Sequence, residues 1–213
     1  MSELPWWVAG REAIVAAAEP SDWRGEVPEY HLSREHMSAE RTYQFAPDSL
    51  EAIVERVVQA FEVEVTHKHD PATWASVVTE QFRTNVNGGK WATPADIIDT
   101  GSYNLFIGDN IFYPAGESFD SSHDVFHNAL PEGFFWEVLE VLSGPPNVTF
   151  KWRHWGKFTG EYMGVAPTGE TVEMFGMTLA KVGEDLRLLQ VEHYYDPNQL
   201  LSKLAGGCPV AKS

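Results

Sequence analysis

The chain has 213 residues, a hydrophobic content of 43% and a formal charge of −16, from 15 basic and 31 acidic side chains. That content suits one packed domain with an extension, and a surface so acidic repels phosphate backbones and anionic lipid, which sets nucleic-acid and membrane partners aside. Nothing approaches the run of about 18 apolar residues that spans a bilayer, no export leader is read at the N-terminus, and one cysteine, Cys208, excludes an internal disulfide, so a cytoplasmic protein is expected.

Residues 1–46 carry Pro5, Pro20 and Pro28 with Trp6, Trp7 and Trp23 and little periodicity beyond an Ala-rich helix over 11–19. Three tryptophans are too much apolar area for a solvated linker, so this arm is expected to pack over the domain, as added core or as a lid. The domain is read as 47–204, followed by a flexible tail, 205–213. Its first helix starts with Asp48 as cap and Glu51 three residues on, and Leu50, Ile53, Val54, Val57, Val58, Phe61 and Val65 form one stripe at helical spacing. Glu51, Glu55, Arg56 and Gln59 fall opposite. A second helix is predicted from Thr93-Pro94 to Ile107, stopped by Gly108, and a third over 122–130.

The remainder reads as strands: 134–142, then 148–155 across a Ser143-Gly-Pro-Pro-Asn147 turn, then 171–182 and 186–195, with a terminal helical turn over 199–204. Helices followed by consecutive strands on tight turns mean an α+β fold with a mostly antiparallel sheet. Gly156 and Gly176 inside strands fit a sheet bent around its helices into a cone with an apolar hollow.

Phe150-Lys-Trp-Arg-His-Trp-Gly156, Gly160-Glu-Tyr-Met-Gly164 through Pro167-Thr-Gly169, and Val191-Glu-His-Tyr-Tyr-Asp196 resemble the SnoaL-like branch of the NTF2-like superfamily. Further stretches, at His67-Lys68, Gly101-Ser-Tyr-Asn104, Gly133–Val141 and Ser143-Gly-Pro-Pro146, are similar to the plant pathogen-related protein group of that branch. The resemblance, over about 48–204, implies an NTF2-like, cystatin-like cone, often a homodimer, with a cavity between helices and sheet. It implies no single activity, since such folds host cyclases, isomerases, hydrolases, dehydratases and plain binders.

SnoaL-like cyclases place a catalytic Asp in the last strand, a position that falls on His193, or on Glu192 with a one-residue slip. Their partner His falls near Phe175–Met177, where this chain has none, so aldol ring closure is not expected.

In the last strand, Leu189, Val191, His193 and Tyr195 share the more apolar face. His193 among apolar neighbours is a candidate general base. By the same parity His154 shares a face with Val148, Phe150 and Trp152, which makes it the candidate acid partner; the resemblance to the cyclases offers Glu192, on the opposite face of its strand, as the alternative. The core-histidine reading stands beside both. Trp136, Phe150, Trp152, Tyr162, Met177 and Tyr195 are the expected walls, and His67 an expected ligand contact.

His123 and His127 have a chelating i, i+4 spacing, but Asp124 stands where the zinc-protease motif needs Glu, and no third ligand is near. They are read as a surface pair, with no metal. No cofactor is expected; Cys208-Pro209 leaves haem as a lesser alternative. The sequence supports a small apolar or aromatic molecule as partner, either turned over by cofactor-free proton transfer or only bound. A weaker third reading is a dimeric interaction module.

Overall fold

The computed structural model describes residues 4–113 and 116–207, Leu32 by its backbone alone. In chain order, helices α1 (Arg11–Ala17), α2 (His31–Glu40) and α3 (Leu50–His67) precede strand β1 (Arg83–Val86), α4 (Pro94–Thr100), α5 (Ser102–Ile107) and α6 (Phe119–Ala129). Strands β2 (Phe135–Ser143), β3 (Asn147–Lys157), β4 (Thr171–Val182) and β5 (Leu188–Tyr195) then run consecutively to α7 (Asn198–Leu204).

The apolar stripe of α3 forms the helix as expected, but its cap is Ser49 rather than Asp48: the Ser49 hydroxyl accepts from the Ala52 amide at 3.2 Å. The helix is buried on two sides. Val54, Phe61 and Val65 join the main core with the sheet, while Ala60 and Val63 pack against Trp7, Val8, Ile14 and Trp23. Glu55, expected on the free face, is instead buried against β2, where its carboxylate pairs with Arg41 at 2.9 Å and accepts from the Val138 amide at 3.3 Å. The helix expected from Thr93 to Ile107 is two helices, because Gly101 at φ 92° breaks it into α4 and α5.

The sheet has the order β1-β5-β4-β3-β2 and is open. β2 to β5 pair antiparallel, and β2 departs from register after Val138 and again after Val141, which bends the strand. The unforeseen strand is β1, four residues laid parallel to β5 with Val86 opposite His193. Asn87 secures its end by donating to the Tyr195 carbonyl and accepting from the Tyr195 amide, at 2.8 and 3.0 Å.

Gly156 and Gly176 mark close approaches. A β-carbon at 156 would stand 2.7 Å from the Gly133 carbonyl oxygen, and one at 176 would collide with the Trp152 indole. The arm wraps the outer face of β2 and β3: the Thr42 amide and hydroxyl both donate to Glu137 at 2.7 Å, and Trp155 Nε1 donates to Glu40 at 3.1 Å.

Candidate functional site

Between α3 and the inner face of the sheet lies a cavity of about 980 Å³, at the top of the roughly 300–1,000 Å³ range of small-molecule sites. Strand alternation sends Phe150, Trp152 and His154 of β3, and Met174, Thr178 and Ala180 of β4, into its wall. On β5 the wall takes Leu188, Val191, His193 and Tyr195. Leu188 replaces the expected Leu189 because the β4–β5 register slips between Lys181 and Val182.

One wall is a continuous run of rings. His154 lies on Phe134 at 3.5 Å between centroids, Phe134 is 5.9 Å from Phe126, and Phe126 is 4.6 Å from Tyr103, with no pair more than 23° from parallel. Beyond Tyr103 the rings turn out of parallel: His123 is tilted to it at 6.1 Å, and His67 and Tyr30 follow edge-on at 5.7 and 6.4 Å. All of these side chains line the cavity.

The two strand histidines hold their protons in opposite places. His154 Nδ1 sits 2.7 Å from the Phe135 carbonyl oxygen, which only accepts, so Nδ1 carries the hydrogen and Nε2 the lone pair. At His193 the network runs the other way. Trp152 Nε1, a donor only, gives its hydrogen to Thr178 Oγ1 at 2.9 Å, and Oγ1 stands 3.0 Å from His193 Nδ1. We assign the threonine hydrogen to Nδ1, the one acceptor within hydrogen-bond distance of it among the described residues, which places the ring proton on Nε2. That Nε2 is buried without a hydrogen-bond partner, beside the Phe106 ring, T-shaped to the imidazole at 5.2 Å.

Both rings are neutral at physiological pH, because burial pushes His154 down to about 3 and His193 to about 4. This corrects the expectation of a near-neutral pair: a base that weak is poorly matched to proton abstraction near pH 7. Burial also takes His67 to about 4, with His123 and Arg11 adding to the effect, and lowers His123.

Of the expected wall residues, Trp136, Phe150, Trp152, Tyr195 and His67 line the cavity, and Tyr195 donates its hydroxyl to the Phe106 carbonyl. Three residues do not fit the reading made of them. Glu192 lies on the other face of β5, its carboxylate accepting from Gln190 and Tyr194 at 3.3 and 3.1 Å, so it is no acid partner for His193. Met177 is out of phase with Met174, Thr178 and Ala180 and points away from the cavity. Tyr162 is fully buried in the core, donating to the Phe112 carbonyl at 2.9 Å.

His123 and His127, expected on the surface, stack at 5.9 Å along the cavity edge. Among the described residues no three His, Cys, Asp or Glu side chains form a group that could hold a metal. Cys208 lies outside the described residues. Lys151, Arg153 and Lys157 are each paired with glutamates, and no helix among the described residues is long and apolar enough to cross a membrane.

Sequence reasoning missed Thr178, which sets the His193 tautomer; its signal is a small polar residue in phase with Met174 and Ala180. It also missed Tyr30, Glu62 and Tyr103, which no local spacing connects.

No family model matches the chain. It is 34% identical over 208 residues to a pathogen-related protein of Hordeum vulgare, an alignment covering 89% of this chain and 88% of that protein. Among solved structures it is similar to a protein of Acidithiobacillus ferrooxidans named as a polyketide cyclase (TM-score 0.44, 13% identity, 77% of this chain and 100% of that one). Another is a Catenulispora acidiphila protein with a ketosteroid isomerase-like fold, crystallised with trimethylamine (TM-score 0.41, 14% identity, 72% and 94%).

Proposed function

The chain belongs to the pathogen-related protein family, and from that premise we propose that it binds a small, flat, largely apolar molecule, without a cofactor, between α3 and the sheet. The observation that carries the reading is the ring wall running from His154 through Phe134 and Phe126 to Tyr103 along a cavity of about 980 Å³. Near-parallel rings present faces and edges that suit another aromatic surface, each contact worth about 0.5–1.5 kcal/mol beyond area burial. The His154 Nε2 lone pair supplies an acceptor beside that wall, fitting a ligand hydroxyl.

Proton transfer is the second reading, favoured by the opposite tautomers of His154 and His193. The depressed basicity of both rings places simple binding ahead of it.

The test is a fluorescence titration with trans-stilbene. Saturable binding is expected, weakened severalfold by Phe134→Leu, which keeps an apolar side chain but removes the ring. Absence of saturable binding, or equal affinity in the two proteins, overturns the reading.

A further inference from the structure

The far end of the ring wall is built differently from the rest of the cavity. Here α1, the loop before α2, α3, α5 and α6 converge and bring together Arg11, Tyr30, Glu62, His67, Tyr103 and His123. Tyr30 is held between two neighbours, with the Arg11 guanidinium 4.5 Å over its ring and His67 edge-on at 6.4 Å. Its hydroxyl oxygen is nonetheless buried without a hydrogen-bond partner, an arrangement that is unfavourable unless something occupies the site.

Glu62 is the second incomplete group. Its nearest cation is Arg11, at 4.0 Å, beyond hydrogen-bond length, and its carboxylate receives no hydrogen bond among the described residues. It nevertheless lines the cavity with 46% of its side chain accessible. Protein packed around it raises its pKa, as expected of a carboxylate facing a hollow rather than bulk water. Arg11 stands against both Glu62 and Tyr30, and Tyr30 is linked to Tyr103 through His67 and His123, which places all of them in one cluster.

We infer that this cluster is a second polar subsite that takes a neutral hydroxyl group at the far end of the ligand, with Tyr30 donating to the hydroxyl oxygen and Glu62 accepting its hydrogen. A hydroxyl completes both groups at once, since it accepts and donates through a single oxygen. A cationic group fits less well, because Arg11 already stands against Glu62 and Tyr30. The ligand class that follows is an elongated aromatic molecule hydroxylated at both ends, one hydroxyl for His154 Nε2 and one for the Glu62 cluster. The inference rests on the binding function proposed above and specifies its ligand.

The probes are trans-stilbene, its para-hydroxy derivative and the derivative carrying a para-hydroxyl on each ring, titrated against the full chain. The second hydroxyl is expected to tighten binding about tenfold, the gain of one charge-assisted hydrogen bond. Glu62→Gln is expected to remove most of that gain and Tyr30→Phe part of it, the gain being read within each protein as the ratio of its affinities for the dihydroxy and monohydroxy probes. If stilbene binds but the second hydroxyl adds nothing, or if its gain survives both substitutions, the subsite is overturned and the cavity reading stands. If stilbene itself does not bind, both fall.

Discussion

Thr178→Val removes one oxygen atom from the centre of the polar network under the cavity. Thr178 is 2% exposed and its hydroxyl serves two rings, accepting from Trp152 Nε1 at 2.9 Å and contacting His193 Nδ1 at 3.0 Å. Valine is nearly the same shape, so the substitution opens no cavity, but it leaves a buried indole N–H and a buried imidazole nitrogen without partners. At about 2 kcal/mol for each orphaned group, less about 0.8 kcal/mol for the added buried methyl, the net loss is about 3 kcal/mol. For a chain of this size that lowers Tm by roughly 6–12 °C. Urea unfolding is the assay, with Thr178→Ser as the control that keeps the hydroxyl and costs only about 1 kcal/mol for its lost methyl group. The midpoint is expected to fall further for Val than for Ser at an unchanged m-value. Equal midpoints for Val, Ser and wild type would refute the two-ring role of Thr178.

Acid should weaken the fold through its buried imidazoles. His67 and His193, held at about 4, and His154, at about 3, protonate more readily unfolded. Stability is therefore full above the unfolded value of about 6.5 and falls toward pH 4, by up to roughly 1.4 kcal/mol per pH unit for each ring; Glu55 and Glu62, raised by burial, act in the opposite sense. A urea midpoint that stays flat from pH 6.5 to about 4.5 would contradict this. Arg41→Met strands Glu55 against β2 and is expected to cost about 3 kcal/mol at pH 7, part of it recovered by adding Glu55→Gln; a double variant no more stable than Arg41→Met alone refutes the pairing. Gly176→Ala drives a methyl into the Trp152 indole and should cost about 1–3 kcal/mol in the same assay, whereas a neutral result would mean the indole has room to move.

Much of the fold is written in local periodicity. The α3 stripe and the alternation in β3 and β4 mark their elements because each buries one face along its whole length. β1 is not legible, since Arg-Thr-Asn-Val has no pattern of its own and becomes a strand only by pairing with β5, more than a hundred residues later. α2 likewise lacks an apolar stripe and is held by what it covers, Trp155 through Glu40 and Phe135 through His36.

At the site, parity placed His154 and His193 on one inner surface, and the same rule turns Met177 outward. Glu192 was a candidate acid by alignment with a family, against its own parity. The tautomers were not legible, because they depend on a carbonyl of β2 and a hydroxyl of β4. Nor was the Glu62 cluster, whose members come from several elements. Burial of the imidazoles, which decides their basicity, is likewise a property of the assembled cone.

The most direct measurement is long-range nitrogen–proton NMR of labelled histidine rings at pH 6, with and without para-hydroxystilbene. Two neutral imidazoles of opposite tautomer are expected, His154 protonated on Nδ1 and His193 on Nε2, with the His154 Nε2 resonance moving as the phenol binds. Charged rings at this pH, a shared tautomer, or an Nε2 resonance indifferent to saturating phenol would contradict the binding site described above.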